Sequence, residues 1–410
     1  MKSISEKSEA KTSLLDGIKV VSFCHYLQGP AAMQYLADMG AEVIKIEPPN
    51  GAFERHWAGA DRATVGDVSA LFLCANRNVR SLAIDLKRRE AADVVFKLIE
   101  QSHVLAENFR PHTLDRLGFG YDAVRQRKPD IIYASASGFG SSGPFSNRPG
   151  QDLLVQAMSG LAAAGGRGAE DPVPVGCAAV DQHGAALMAL AIAGAYARWL
   201  KTGEGTHIEA TLLGAAIDLQ TESIVTYLAS GVGREGLQRN PHLATWYHAA
   251  PYGIYKAEDC HVALSLTDVG ALAEALKSSI IEAFVGLNAY SERDALAQAV
   301  AAEISTRTYA ELAPAFDAKG VWFARVDDYD DLMENPQVQH NGSFCTVPVN
   351  GETATLVSHP VRYDGKVPPF RWFALAPGAD SRSILADAGF SSKEIIELIC
   401  DKVVFAPEEA

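Results

Sequence analysis

The sequence predicts an α/β fold built on a parallel sheet, followed by a second, smaller α+β domain. From Gly17 to Ser137, short strand-like apolar runs alternate with helical patterns, as they do in βαβ units. Beyond Val232 this alternation ends, and a hairpin pattern followed by helices takes its place. The chain has 410 residues, 48% of them hydrophobic and 21% charged, which is ordinary for a globular protein and allows two or three domains.

Turn residues place the first βαβ unit. Residues 17–23 are predicted to form a strand, a turn follows at 28–30, and a helical pattern at 31–39 is closed by Gly40. A second strand is predicted at 41–47, where two prolines end it. Two strands joined by a helix of this length lie parallel in one sheet, so the pattern predicts the start of a doubly wound sheet.

The later elements follow from the same periodicities, with breaks at glycine and proline. The α/β part is predicted to have strands at 79–86, 103–107 and 130–137, helices at 91–101, 113–127, 150–163 and 185–200, a loop at 164–174 and a strand or helix at 207–220. The later part is predicted to have a hairpin at 251–255 and 261–266, helices at 270–285 and 292–318, a solvated helix start at 327–331, β-structure at 336–363 and a helix at 391–401.

Charge and composition exclude several classes of partner. The net charge of −14 argues against nucleic acid or an anionic membrane as a partner. A small anionic ligand is not excluded, because its binding depends on the local charge of the site. Six scattered cysteines without a C-x-x-C pair indicate reduced thiols in a cytoplasmic protein, with neither a disulfide framework nor a metal site. Residues 1–13 lack the apolar core of a signal peptide and are predicted to be a loose tail. The apolar run at 184–197 is too short to span a bilayer comfortably, so a buried helix is expected.

A glycine-rich stretch at 138–143 matches G-x-G-x-x-G and follows a predicted strand. In a dinucleotide site the third glycine leads directly into a helix. Here Pro144 follows, and no helix pattern begins before Gln151. A loop at the carboxyl end of the sheet is therefore the better interpretation, and no nicotinamide or flavin is expected. The chain also lacks a G-x-S-x-G elbow, which argues against a serine hydrolase.

One carboxylate, Asp181, stands where a run of small and apolar residues at 174–180 meets a helix pattern. A carboxylate in the first turn of a helix lies at the positive end of the helix dipole, which favours its ionised form. Unpaired N–H groups there are also available to an oxyanion. The alternative is a simple N-cap, the usual role of Asp before a helix, and the local pattern alone favours that alternative.

Several short motifs occur along the chain in an order found in one enzyme family. They are Leu15-Asp16-Gly17, Gly29-Pro30, Gly40 to Glu47, Glu107 to Pro111, Leu114 to Gly118, Arg148-Pro149-Gly150, Ser159-Gly160-Leu161, Thr202 to Gly205, Ala250 to Gly253 and Asn335 to Val338. Each motif is weak alone, but their order is specific. Over nearly its whole length the sequence resembles the family III CoA-transferases, which include formyl-CoA transferase and carnitine CoA-transferase and are related to α-methylacyl-CoA racemase.

The resemblance implies an enzyme that moves CoA from an acyl-CoA to an acceptor carboxylic acid. Asp181 would be the nucleophile, forming a mixed anhydride and then an aspartyl-CoA thioester. Coenzyme A and acyl-CoA would be substrates rather than tightly bound cofactors, and small carboxylic acids the other partners. The family also implies a Rossmann-like large domain from residues 1–225 and 336–410, a small α+β domain with linkers at 226–335, and an interlocked homodimer.

The resemblance further implies two groups of site residues. The CoA contacts would be His25, Tyr26, Gln28, Ile84, Lys87, Asn108, Phe109 and Arg116. The substrate pocket would include Gly138, Gly140, Gln151 and His183. Residues 25–28 would line the pantetheine and thioester end, Ile84 and Lys87 would meet the adenine, and Arg116 would pair with a phosphate. Without the resemblance, a solvated surface charge explains each cation about as well.

Two departures from the family pattern bear on the substrate. The racemases have a histidine base where this chain has Gln151, and a glutamine cannot transfer a proton at carbon, which favours a transferase. Many transferases have a tyrosine there, so the substrate pocket is expected to be unusual. No glycine-rich lid like that of formyl-CoA transferase is evident at 231–260, which argues against oxalate. The alternatives are a racemase or epimerase with another base, such as His183, and a non-catalytic CoA-binding protein, which the intact Asp181 disfavours.

Overall fold

The computed structural model describes residues 13–60, 63–166 and 171–408. The tail predicted at 1–13 lies outside these residues except for Ser13, and so does part of the loop predicted at 164–174. The chain forms two compact units. The first unit comprises residues up to 155 together with 178–219 and 339–410, and the second comprises 156–177 and 220–338.

Strands and helices alternate through the first unit, with a largely helical second unit. The strands are β1 Lys19–Ser22, β2 Glu42–Glu47, β3 Thr64–Val65, β4 Val68–Ser69, β5 Arg80–Ile84, β6 Val104–Glu107, β7 Ile132–Ser137, β8 Thr206–Thr211, β9 Gly253–Lys256, β10 His261–Leu264, β11 Phe323–Arg325, β12 Phe344–Val349, β13 Glu352–Val357 and β14 Val404–Phe405. The helices are α1 Gln28–Asp38, α2 Ala70–Ala75, α3 Arg89–Glu100, α4 Thr113–Arg116, α5 Tyr121–Arg127, α6 Asp152–Met158, α7 Leu161–Gly165, α8 Ala179–Thr202, α9 Leu212–Leu219, α10 Thr221–Ser230, α11 Val269–Leu276, α12 Ser279–Glu282, α13 Arg293–Ile304, α14 Tyr309–Lys319, α15 Tyr329–Glu334, α16 Pro336–Asn341, α17 Ser381–Asp387 and α18 Ser392–Cys400.

A seven-stranded sheet organises the first unit, in the order β14-β5-β2-β1-β6-β7-β8. All its pairs are parallel except that of β14 with β5, so the predicted parallel α/β sheet is confirmed. The central strands are apolar and buried on both faces, because helices cover both sides of the sheet. Val20 and Val21 of β1 are both fully buried and point to opposite faces, where each joins a separate core cluster.

One of these two layers sets the position of the site. Helices α1 and α8 pack together on the same face of the sheet, and Met33 and Leu36 of α1 share a core cluster with Met188 and Ile192 of α8. Helix α8 has 24 residues and is rich in alanine and glycine. Small side chains let the two helices approach closely, so the first turns of α1 and α8 are held firmly with respect to each other.

The second unit contains a small antiparallel sheet in the order β11-β10-β9, and β9 and β10 form the predicted hairpin. Tyr255 of β9 and Val262 of β10 are fully buried. They join a core cluster with residues of α11, α13 and α14. An antiparallel sheet covered by separate helices is an α+β arrangement.

The structure corrects several predicted elements. The helix predicted at 31–39 begins at Gln28, because Pro30 is tolerated in a first helical turn and does not delay the start. The helix predicted at 113–127 is two helices separated by Gly118, whose φ of +87° interrupts a helix. Gly160, also at φ +87°, divides the helix predicted at 150–163 in the same way. The β-structure predicted from 336 begins instead with helix α16.

Candidate active site

The carboxyl ends of β5, β1, β6 and β7 lie at one edge of the large sheet, and the loop after each strand carries predicted site residues. In open α/β sheets this edge is where ligands bind. Strands are about 4.8 Å apart, so the four intervals from β5 to β7 span about 19 Å. An edge of this length suits an extended ligand better than a compact one.

Asp181 is the third residue of α8, and a carboxylate from elsewhere in the chain caps that helix. Oδ2 of Asp152 accepts hydrogen bonds from the N–H groups of Val180 at 2.8 Å and Asp181 at 2.9 Å. Ala178 stands at the N-cap position and makes no side-chain cap bond. The simple N-cap interpretation of Asp181 is therefore wrong, because Asp152 performs that role and leaves the Asp181 carboxylate for another.

Asp152 also changes the electrostatics of Asp181. Burial, and second to it the negative charge of Asp152, raises the pKa of Asp181 to about 7. The helix dipole was expected to favour the ionised form, but Asp152 occupies N–H groups of the first turn and adds a like charge. The Asp181 carboxyl group is consequently distributed between its protonated and ionised forms near pH 7.

Gln28 and Gly184 lie where the first turn of α1 meets α8. A Cβ atom at Gly184 would lie 2.6 Å from Nε2 of Gln28, so only glycine leaves room for the amide. The Gln28 side chain is 5% exposed, and within the described part of the chain its Nε2 has no hydrogen-bond partner. Gly184 is three residues beyond Asp181, a spacing that places both on one face of a helix. A buried donor therefore faces the side of α8 that carries Asp181.

The loops after β1 and β6 are tied together by an amide. The N–H of His25 donates to Oδ1 of Asn108 at 2.8 Å, and Nδ2 of Asn108 donates to the carbonyl oxygen of His25 at 2.7 Å. The ring centres of His25 and Phe109 are 4.7 Å apart. Burial lowers the pKa of His25, so the imidazole is neutral near pH 7. These three predicted CoA contacts are adjacent in the fold and fixed in position.

Tyr26 has an unusual backbone conformation at the same edge. Its φ of +65° is left-handed, a conformation that costs about 1–3 kcal/mol in a non-glycine residue and clusters at functional sites. The Tyr26 N–H donates to Oε2 of Glu54 at 3.1 Å, and Glu54 is buried in an ion pair with Lys45. The side chain of Tyr26 is nevertheless 48% exposed. A fixed backbone thus presents this ring to the outside.

The sequence matches one family of known proteins over most of its length. The family described as CoA-transferase family III matches residues 15–381. The chain belongs to this family. It is therefore an enzyme of the CoA-transferase class, as the sequence motifs indicated, and this family uses CoA thioesters as substrates.

Three similar proteins illustrate the range of this CoA-transferase family. An acetyl-CoA:oxalate CoA-transferase of Acetobacter aceti is 35% identical over 60% of this chain and 61% of its own. The succinyl-CoA:glutarate CoA-transferase of Mus musculus is 28% identical over 95% of this chain and 90% of its own. A CAIB/BAIF family protein from Brucella suis has a crystal structure with a TM-score of 0.79 and 25% identity, covering 92% of this chain and all of that one.

Three further predicted CoA contacts of this CoA-transferase lie in the core or on the surface. Ile84 is fully buried in the core, where its backbone pairs with Val404, so its side chain is not accessible. Lys87 is exposed and begins a run of three cations at 87–89. Arg116 is exposed at the end of α4, and its Nη2 donates to Oγ1 of Thr113 at 3.0 Å.

The predicted pocket residues differ in their surroundings. Gly138 passes so close to Gly150 that a Cβ on Gly138 would lie 2.6 Å from the Gly150 Cα, and this contact closes the glycine-rich loop. Gly140 has a φ of +100°, and its N–H donates a hydrogen bond to Oγ of Ser137 at 3.0 Å. Gln151 is exposed. Their roles in substrate binding stay predictions.

His183 is held on another side of α8. Its Nε2 lies 2.8 Å from Oδ2 of Asp218, in helix α9. Residues two apart in a helix do not face each other, so His183 and Asp181 point in different directions. The structure therefore does not bring the alternative base next to the carboxylate.

Sequence reasoning missed the contributions of Asp152, Glu54 and the buried Nε2 of Gln28, which has no partner among the described residues. Asp152 stands 29 positions before Asp181, and only the folded chain brings them together. Its one sequence signal was its place directly after Gln151, the position at which the racemases have a histidine base.

In the described part of the chain, no helix is long and apolar enough to cross a membrane. The same residues contain no cluster of three or more metal-binding side chains.

Proposed function

We propose that this enzyme moves CoA from an acyl-CoA to an acceptor carboxylic acid through covalent intermediates on Asp181. One observation carries the proposal. Asp181 is half-buried in the first turn of α8, where Asp152 has taken over the capping role. The face of α8 that carries Asp181 also meets the buried Nε2 of Gln28, which has no partner among the described residues. A structural carboxylate would be paired, whereas a nucleophile has to be free to react.

The reaction balances without a proton transfer. A carboxylate oxygen of Asp181 attacks the thioester carbonyl carbon, the C–S bond breaks, and CoA thiolate leaves a mixed anhydride. The thiolate then attacks the aspartyl carbonyl carbon, releasing the donor acid and forming an aspartyl-CoA thioester. The acceptor carboxylate attacks this thioester to form a second anhydride, and the thiolate takes the new acyl group and restores Asp181. Each intermediate is prone to hydrolysis, so a site that excludes water is required.

The sheet edge supports a matching assignment for CoA. His25, Tyr26, Gln28, Asn108 and Phe109 would line the pantetheine and thioester, because they surround the ends of β1 and β6. The exposed Arg116 would pair with a phosphate and the exposed Lys87 would lie at the adenine end, and both add the local positive charge that CoA requires in a protein of net charge −14. Only the backbone of Ile84 would take part, since its side chain is in the core.

The acceptor and donor would be small carboxylic acids. The similar proteins are named for acetyl-CoA with oxalate and for succinyl-CoA with glutarate, which supports a short acyl donor and a dicarboxylate acceptor. The absence of a glycine-rich lid motif at 231–260 argues for the longer acid over oxalate. A panel of acetyl-CoA and succinyl-CoA against oxalate, glutarate and monocarboxylates of equal length tests this preference.

We also propose that the active form is an interlocked homodimer in the cytoplasm, with a Rossmann-like large domain at 1–225 and 336–410 and a small domain at 226–335. The support is the family resemblance. Light scattering during size-exclusion chromatography tests the dimer, for which twice the chain mass of 43.8 kDa is expected.

Trapping tests the covalent step. After incubation with acyl-CoA and hydroxylamine, mass spectrometry is expected to find a hydroxamate on the peptide containing Asp181. Asp181→Ala should give neither adduct nor turnover, whereas Asp122→Ala, at an exposed position on α5, should behave like the parent protein. Deuterium wash-in at the α-carbon of the acyl group, with no exchange of CoA into free acid, would contradict the proposal and indicate a racemase.

A further inference from the structure

The first turn of α8 has few donors left for a reacting carbonyl oxygen. The N–H groups of Val180 and Asp181 donate to Asp152, and the N–H of Gln182 donates to the carbonyl oxygen of Ala178 at 3.0 Å. Attack on a thioester places negative charge on the carbonyl oxygen, and stabilising that charge is a large part of catalysis in acyl transfer. Three N–H groups at the expected helix-start oxyanion site are therefore already engaged, which favours a donor from another element.

Gln28 provides such a donor. Its Nε2 is buried, lacks a partner in the described part of the chain, and lies against Gly184 on the face of α8 that carries Asp181. A buried donor left unsatisfied costs about 1–3 kcal/mol, so a folded protein retains one only where something else fills the bond. Its position on the face of α8 that carries Asp181 indicates that the missing acceptor belongs to the substrate.

A second glutamine on the same helix shows what a structural amide looks like here. Gln34 is also buried in α1, but its Nε2 donates to the carbonyl oxygen of Cys74 at 3.0 Å and its Oε1 accepts from the N–H of Arg77 at 3.0 Å. Both ends of Gln34 hold the fold together. The free donor of Gln28 has no such function in the described structure, although the two side chains share one helix.

We infer that the Gln28 amide is a catalytic oxyanion donor: its Nε2–H bonds the carbonyl oxygen of the acyl group under attack by Asp181. This inference rests on the proposed function. As the Asp181 oxygen bonds to the acyl carbon, the carbonyl π electron pair moves onto its oxygen and is stabilised by the amide. The pair returns when the C–S bond breaks and CoA thiolate leaves. No proton moves, so a neutral, non-titrating donor is sufficient.

Gln28→Met tests the inference, because it keeps the length of the side chain and removes the donor. We expect kcat to fall about 10²–10³-fold, the loss typical of one oxyanion donor, while the KM for acyl-CoA changes less than threefold. Thermal stability should be unchanged or higher, because an unsatisfied buried group has been removed. Gln34→Met, the matched control, should lower thermal stability and leave the kcat of the folded enzyme within threefold.

Gly184→Ala approaches the same amide from the other side. A Cβ there would lie 2.6 Å from Nε2 and must displace it, so kcat should fall, and the double variant with Gln28→Met should be no slower than Gln28→Met alone. The inference would be overturned if the losses of kcat from the two substitutions multiplied in the double variant. It would also be overturned if Gln28→Met left kcat unchanged, or raised only the KM for acyl-CoA. If Asp181→Ala is inactive in those experiments, the proposed function still stands; if Asp181→Ala remains active, the proposed function itself fails.

Discussion

Asp181 has to be ionised to attack a thioester, and its neighbour Asp152 makes ionisation harder. The two carboxyl groups perform different tasks because of their surroundings: Asp152 accepts two backbone N–H bonds, and Asp181 is half-buried with a pKa raised to about 7. A carboxylate with a raised pKa is also more basic and hence a better nucleophile once ionised. The arrangement balances reactivity against the fraction ionised near neutral pH.

The first prediction is a pH profile. Because the ionised form of Asp181 is the reactive one and burial holds its pKa near 7, kcat/KM should fall about tenfold per pH unit below pH 7 and level off above it. In Asp152→Asn the side-chain oxygen still accepts the N–H bonds but carries no charge, so the midpoint should move to lower pH. Initial rates from pH 5.5 to 8.5 at constant ionic strength measure both.

Asp122→Asn, an exposed change on α5, should leave that midpoint where it is. A flat profile, or an Asp152→Asn midpoint equal to that of the parent, would contradict this view of the two carboxyl groups. At the residue scale, the sequence indicated that Asp181 begins a helix but not its charge state. The pKa depends on Asp152, which only tertiary structure brings close, so no local pattern contains it.

At the scale of elements, the junction between β1 and α1 fixes the site. Gly29 follows Gln28 in the first turn of α1, and a Cβ there would lie 2.6 Å from the Cβ of Cys24 and 3.0 Å from Cγ of Asn108. The same Asn108 side chain holds the backbone of His25. A single glycine therefore lets the strand, the helix and the β6 loop meet.

Gly29→Ala should break this junction. We expect a loss of about 1–3 kcal/mol in the free energy of unfolding, because the overlap forces Cys24 or Asn108 to move, together with a higher KM for acyl-CoA. Gly194→Ala, in the middle of α8 with nothing within 4 Å of the added atom, is the matched control and should stabilise by about 0.5–1 kcal/mol. Urea unfolding monitored by circular dichroism gives both values, and equal effects of the two changes would refute the steric argument.

The strands and long helices of the first unit were predictable, because buried parallel strands such as β6 and β7 are short continuous apolar runs between turn residues. The ends of helices were harder to predict from the sequence. The start of α1 at Gln28 was read as a turn because of Gly29-Pro30, and this error concealed the helical setting of the Gln28 amide. The edge strand β14 was missed because its pairing with β5 joins residues more than 300 positions apart.

At the scale of the whole molecule, an acidic protein has to bind a polyanion. The net charge of −14 repels CoA at long range, so binding depends on exposed cations near the sheet edge, such as Lys87 and Arg116. Composition alone excluded nucleic acid but could not locate these cations. Lys87 follows β5 and Arg116 follows β6, two parallel strands that end at the same edge of the sheet with β2 and β1 between them.

Arg116→Ala should raise the KM for acyl-CoA about tenfold with little change in kcat, because a charge-assisted hydrogen bond to a phosphate contributes about 1.5 kcal/mol. The effect should shrink with increasing salt. Lys393→Ala, an exposed cation on α18, should change neither parameter. Steady-state kinetics of both variants at two ionic strengths test this prediction. An unchanged KM for acyl-CoA in Arg116→Ala would show that Arg116 does not bind CoA.

The most direct test of Asp181 as an acyl carrier follows oxygen atoms. In the proposed sequence of steps, one oxygen of the acceptor carboxylate becomes part of Asp181 when the second anhydride is cleaved. With acceptor acid labelled with ¹⁸O in its carboxylate, peptide mass spectrometry after turnover should find ¹⁸O in the peptide containing Asp181. Full turnover with no label in that peptide would contradict the account.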